Sequence, residues 1–130
     1  MTSSVGIVLV SHSAEMALGL RRLAEQIGSD SVPVATAGGT EEGGVGTSYA
    51  LVLAALQEAD RGAGVVVLPD LGSSVLTARA VLEDHPDSRV RIVDAPFVEG
   101  AVAAVVTAAT GADLETVVNA AEEARHVRKL

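Results

Sequence analysis

The sequence has no cysteine, no tryptophan, two aromatic residues (Tyr49 and Phe97) and one lysine, Lys129, in 130 residues. Each shortage removes a class of chemistry. Without cysteine there is no disulfide framework, no thiol nucleophile and no cysteine metal site. With the single lysine next to the C-terminus, an internal Schiff base or a Walker-type phosphate clamp has no residue to carry it. The lack of aromatics argues against a base-stacking platform or a flavin pocket. Positive charge is also scarce: 9 Lys+Arg stand against 17 Asp+Glu, a net charge of −8. Residues 1–65 carry −4 (3 minus 7) and residues 66–130 another −4 (6 minus 10), so neither half hides a basic patch. No nucleic acid and no anionic membrane is therefore expected as a partner, whereas a basic protein suits this charge. The apolar run at 98–109 contains Glu99 and is too short to span a bilayer, and no basic stretch precedes the run Val5 to Val10. A soluble, cytoplasmic protein is expected.

What is present is aliphatic: 22 Ala, 21 Val, 13 Leu and 3 Ile, with a mean hydropathy of +0.39. That composition supports a real core in one domain over 1–130, with about 125–130 as a charged C-terminal tail. Val5-Gly6-Ile7-Val8-Leu9-Val10 reads as a strand buried on both faces, and 32–36, 65–68 and 90–93 read as three more. Between them, Met16, Leu20, Leu23 and Ile27, then Val45, Tyr49, Val52 and Leu56, then Val75, Ala78 and Leu82 keep helical spacing. Two helices follow at about 98–109 and 113–127, broken by Gly111, with Asp113 as an N-cap. The alternation predicts an α/β domain: a mainly parallel four-stranded sheet in the order 2-1-3-4 with helices on both faces. Chemistry in such sheets gathers at the carboxyl ends of the strands, where the order switches.

Ser11-His12-Ser13 follows the first strand, a glycine-rich segment from Ala37 to Thr47 the second, and Pro69-Asp70-Leu71-Gly72-Ser73-Ser74 the third. In the order 2-1-3-4 the first and third strands are neighbours, which brings His12 beside Asp70. A carboxylate accepting from Nδ1–H would fix the tautomer and leave Nε2 free to attack. The Gly72-Ser73-Ser74 turn would aim backbone N–H groups at the same place. Taken singly, each has a plainer reading: His12 as a capping residue, Asp70 as a turn residue, the glycine segment as a loop that matches no nucleotide fingerprint. His85 and His126 read as solvated, as do the pairs Glu41-Glu42 and Glu122-Glu123.

Four segments in order, Gly-Ile-Val-Leu-Val-Ser-His-Ser from Gly6, the Ala-Gly-Gly loop leading to Gly-Thr, Pro-Asp-Leu-Gly-Ser-Ser from Pro69 and Ala-Pro-Phe-Val-Glu-Gly-Ala from Ala95, resemble the phosphotransferase (DhaM) subunits of phosphoenolpyruvate-dependent dihydroxyacetone kinases. That family is related to the mannose-type IIA components of the sugar phosphotransferase system. The resemblance implies a phosphohistidine relay. His12 would accept a phosphoryl group from HPr on the nitrogen remote from the backbone and pass it to the ADP-bearing subunit DhaL, which phosphorylates dihydroxyacetone held by DhaK. Asp70 would orient His12, and Ser13, Gly39, Thr47, Gly72 and Ser73 would bind the phosphate. The group would travel covalently, so no cofactor and no metal is expected. With the chain ending at Leu130 the donor is expected to be a separate protein. The family also implies a homodimer, for which 98–109 offers either an interface or an inward-facing helix.

Competing readings meet obstacles in the residues. A receiver-type signalling domain wants an acidic pair after the first strand and a lysine near the last, a flavodoxin-like carrier wants aromatics, and a hydrolase wants a Gly-x-Ser-x-Gly elbow. A mannose-type sugar IIA component and a phosphorylation-responsive binding protein that catalyses nothing downstream stay open.

Overall fold

The computed structural model describes residues 4–130. Along them run β1 (Gly6–Ser11), α1 (Ala14–Ile27), β2 (Val34–Gly38), α2 (Tyr49–Ala59), β3 (Val65–Pro69), α3 (Gly72–Asp84) and β4 (Val90–Ile92). Then come α4 (Phe97–Ala108), α5 (Leu114–Glu123) and a 3-10 turn, Ala124–His126. The sheet order is β2-β1-β3-β4, and every pair is parallel. This is the arrangement that the alternation of buried strands and helical segments predicts.

β1 and β3 are buried at every position because both faces of the sheet are covered. Side chains alternate along a strand, so Ile7 and Leu9 enter one core with α1, α4 and α5. Val8 and Val10 enter the other with α2 and α3. Each fully buried Val or Leu contributes roughly 1.5–3 kcal/mol. At Gly6 the strand passes so close to the end of α2 that a Cβ would lie 2.1 Å from the Ala59 carbonyl oxygen, which reserves the position for glycine.

Three local expectations are revised. Val45 is no helix residue. It stands 85% exposed in a loop whose Gly43 and Gly46 have φ +88 and +145, and α2 starts only after Ser48, whose hydroxyl accepts the Leu51 N–H at 3.2 Å. Of the α1 stripe, Leu20 alone is buried. The inward face is Ala17, Leu20 and Ala24, since two alanines let the helix lie close to the sheet. Leu23 and Ile27 turn instead to a groove shared with Val98, Val102, Val106 and Val127. α5 is shorter than expected, although Asp113 does cap it, accepting the Thr116 N–H at 3.0 Å. The 98–109 segment faces two ways: Ala101, Ala104, Val105 and Ala108 are buried in the core, while its other side lines the groove.

Candidate active site

β1 and β3 pair up to Val10 and Pro69, and the Asp70 N–H continues the ladder to the Val10 carbonyl at 2.9 Å. The first residues beyond the two strands are thereby set side by side. Asp70 Oδ1 lies 2.8 Å from His12 Nδ1. The same oxygen accepts from Ser74 Oγ at 2.6 Å and from the Leu71 N–H at 2.6 Å. Oδ2 accepts from Ser11 Oγ at 2.9 Å and from the His12 N–H at 3.0 Å. Burial alone would push the Asp70 carboxyl up, but the bonds from Ser74, from both donors of His12 and from Ser11 outweigh it and hold the group well below the usual carboxylate range. Asp70 is an anion at neutral pH, and an acceptor only.

An anion at Nδ1 requires the proton to sit there, so the lone pair of the neutral ring is on Nε2. The Ser73 hydroxyl meets Nε2 and, facing a lone pair, donates to it. The His12 side chain keeps 21% of its surface exposed against 8% for Asp70, which makes the histidine reachable and its orienting partner sealed. Above Nε2 stands the start of α3, whose N-cap position is Leu71, with no side-chain cap. The Ser74 N–H is taken by the Leu71 carbonyl at 2.9 Å, and the N–H groups of Gly72 and Ser73 have no partner within the helix. They belong to the positive end of the helix whose Ser73 hydroxyl reaches Nε2.

The glycine-rich loop frames the backbone of the same residue. Gly39, at φ +72, donates its N–H to the Ser11 carbonyl at 3.0 Å, and the Gly46 N–H donates to the His12 carbonyl at 3.0 Å. A side chain on Gly39 would place its Cβ 2.7 Å from the Gly44 carbonyl oxygen. Ser13 caps α1, accepting the Met16 N–H at 3.2 Å. Thr47 is turned away from the histidine: its hydroxyl bonds that of Thr77 at 2.7 Å and ties α2 to α3.

Of the residues singled out in the sequence, His12, Asp70 and Ser73 meet at one point, with Gly72 next to Ser73 at the helix start. Ser13 and Gly39 build its backbone, and the Thr47 side chain is engaged elsewhere. Sequence reasoning missed the side-chain roles of Ser11 and Ser74, and Gly46. The signal for the first two was a hydroxyl at the end of a wholly apolar strand and another at i+4 from Asp70 on a helix start. Around the mouth Met16, Val45 and Leu71 are exposed, as are Glu15, Glu41 and Glu42. No Lys or Arg is among the hydrogen-bond partners of His12 or Asp70. Among the described residues no three His, Cys, Asp or Glu side chains cluster to hold a metal, and no helix is long and apolar enough to cross a membrane.

Fold and site define a class: a doubly wound parallel domain with a histidine at its switch point whose Nδ1 is held by an aspartate following the adjacent strand. The EIIA-man family model, described as the PTS system fructose IIA component, matches residues 6–118, and the chain belongs to that family, with DhaM subunits among its relatives. It is 38% identical over 120 residues to the phosphoryl donor subunit DhaM of the PEP-dependent dihydroxyacetone kinase of Escherichia coli K12, covering 88% of this chain but only 25% of that relative. It is 34% identical over 112 residues to the phosphotransferase subunit DhaM of the PTS-dependent dihydroxyacetone kinase of Lactococcus lactis, covering 86% of this chain and 89% of that one. The crystal structure of EF1359, a protein of unknown function, superposes with a TM-score of 0.81 at 30% identity, over 92% of this chain and 94% of that one.

Proposed function

We propose that this chain is a phosphohistidine carrier in which His12 takes a phosphoryl group from HPr and hands it to the ADP-bearing DhaL subunit of a dihydroxyacetone kinase, DhaK holding the dihydroxyacetone. The observation that carries this reading is His12 itself, with Nδ1 locked on Asp70 at 2.8 Å and Nε2 turned to the open start of α3. In the first step the Nε2 lone pair attacks phosphorus, the N–P bond of the donor breaks, and the donor ring keeps that electron pair. The His12 ring gains positive charge, which the Asp70 carboxylate stabilises while retaining Nδ1–H. In the second step an oxygen of the bound ADP attacks phosphorus, and His12 leaves as a neutral imidazole. Phosphoryl transfer asks for positioning and charge stabilisation. The Gly72 and Ser73 N–H groups and the Ser73 hydroxyl, once it swings from Nε2, supply both.

The mouth suits protein partners. Exposed Met16, Val45 and Leu71 offer apolar contact, and Glu15, Glu41 and Glu42 an acidic rim that attracts a basic carrier. The groove of Leu23, Ile27, Val98, Val102, Val106 and Val127 is the surface for a homodimer, remote from His12, in a cytoplasmic protein. The test is to incubate the protein with phosphoenolpyruvate, enzyme I and HPr and to measure intact mass. One acid-labile phosphate is expected on the wild type and none on His12→Ala. Undiminished labelling of that variant removes His12 from the relay. Labelling of the wild type without transfer to ADP-loaded DhaL leaves a sugar IIA component or a regulatory protein instead.

A further inference from the structure

Only two polar side chains are fully buried among the described residues, Ser11 and Ser74, each at 0% exposure. They come from different elements, the end of β1 and the first turn of α3, and both are spent on one carboxylate. Ser11 Oγ accepts the Ser13 N–H at 3.1 Å, so its own proton is free to go to Asp70 Oδ2, 2.9 Å away. Ser74 Oγ donates to Oδ1 at 2.6 Å. It also stands 3.2 Å from His12 Nδ1 and can take a share of the Nδ1 proton. No buried side-chain nitrogen or oxygen among the described residues lacks a partner.

Holding Asp70 in place alone does not need both hydroxyls. Its carboxylate already receives the backbone N–H groups of His12 at 3.0 Å and of Leu71 at 2.6 Å. Each additional donor draws negative charge away from the carboxylate and weakens its grip on the Nδ1 proton. That grip matters chemically. A phosphorylated ring that keeps Nδ1–H is cationic, and its N–P bond breaks with the electron pair going to Nε2, leaving neutral imidazole. A ring that has lost the proton would have to leave as an imidazolate and holds its phosphoryl group.

We infer that Ser11 and Ser74 are positioning residues that share the Asp70 carboxylate with His12 and so set the range of conditions over which the phosphorylated imidazole releases its phosphoryl group. The inference rests on His12 as the phosphoryl acceptor. Other charged groups are not placed to do this. The first turn of α3 carries none, Glu15 on α1 and Glu41 and Glu42 on the loop are exposed, and Asp94, next to β4, pairs with Arg125 at 3.5 Å.

Two measurements test it with Ser11→Ala and Ser74→Ala, prepared separately so that poor folding of one leaves the other. The first needs no phosphate. In the proton NMR spectrum the His12 Nδ1–H resonance is expected to move downfield in each variant, further in Ser74→Ala, because the released carboxylate binds the proton more strongly. An unmoved or upfield resonance in a folded variant overturns the inference even if His12 is phosphorylated normally. The second charges His12 with phosphoramidate, whose P–N bond breaks with loss of ammonia as the bond to Nε2 forms, and follows loss of inorganic phosphate to water against pH. The alkaline limit of that release is expected to rise by about one pH unit in Ser74→Ala, the size of one lost hydrogen bond to a charged group, and by less in Ser11→Ala. Ser74→Thr, which keeps the hydroxyl, is expected to return it. A lower melting temperature with an unmoved limit shows packing residues only and overturns the inference. Failure of wild-type protein to take phosphate, with the resonance shifted, overturns the carrier reading and with it any role in release.

Discussion

α2 and α3 lie side by side on the same face of the sheet, each following the carboxyl end of a strand, yet they begin in opposite ways. α2 is closed by Ser48, whose hydroxyl accepts the Leu51 N–H. α3 starts at an apolar residue, Leu71, and has no side-chain cap. The start of α2 is bound to α3 twice, by Thr47 with Thr77 at 2.7 Å and by Tyr49 with Asp84 at 2.6 Å. A missing cap costs a helix about 1 kcal/mol, and of this pair it is missing on the helix that starts beside Nε2; α4, which begins after Pro96, has no side-chain cap either. If His12 is the phosphoryl acceptor proposed above, stability is given up on α3 where an anion is received and kept on α2 where none is.

The comparison can be broken at three places. The largest effect is expected from Asp70→Asn, which removes the anion behind the histidine while leaving the helix start open. Phosphoryl transfer should fall by roughly a thousandfold to ten-thousandfold, near the scale of about 10⁴ on which losing an orienting carboxylate acts. A rate within tenfold of wild type would take Asp70 out of the chemistry. The same pair of proteins reports on pH. The carboxyl titrates lower in the folded chain than in the unfolded one, so its charge stabilises the fold above the ordinary carboxylate value of about 3.9. That contribution fades as pH falls through the folded value. The melting-temperature gap between wild type and Asp70→Asn should be full at pH 7 and narrower at pH 2, and a gap that widens in acid reverses the sign of the assignment.

Next comes Leu71→Ser, which gives α3 the cap that α2 has. The new hydroxyl should raise the melting temperature by about 3 °C and slow the charging of His12 by roughly threefold to tenfold, as it occupies an N–H meant for phosphate. Faster charging, or no gain in stability, would mean that the open start is incidental. The smallest effect is expected from Ser48→Ala: a melting temperature lower by about 3 °C with phosphoryl transfer unchanged, measured by calorimetry and by mass-detected labelling.

The core strands and the sheet order could be read from the sequence because strands buried on both faces leave continuous runs such as Val65-Val66-Val67-Leu68, and the crossover rule does the rest. His12 and Asp70 followed from the order, since each stands one step past a neighbouring strand. Side-chain rotation was harder to see. Met16, Leu20, Leu23 and Ile27 form as good a stripe on paper as Ala17, Leu20 and Ala24, and only the close approach of α1 to the sheet favours the smaller set. Thr47 looked suited to phosphate beside a glycine loop, but its hydroxyl is committed to Thr77, thirty residues away, a contact no local pattern announces. Ser11 and Ser74 were hidden for the opposite reason: each looks like an ordinary small polar residue until burial removes water as an alternative partner.

The Asp70 N–H bonded to the Val10 carbonyl has one more consequence. His12 and Asp70 are addressed by sheet register: Val10 pairs with Pro69, so Asp70 stands level with Ser11 and one step short of His12 on the adjacent line, and no loop has to set their spacing. The pair is therefore portable. A histidine and an aspartate written one residue past the ends of any two neighbouring parallel strands in this register inherit the same spacing, and a slip of one residue between the strands erases it.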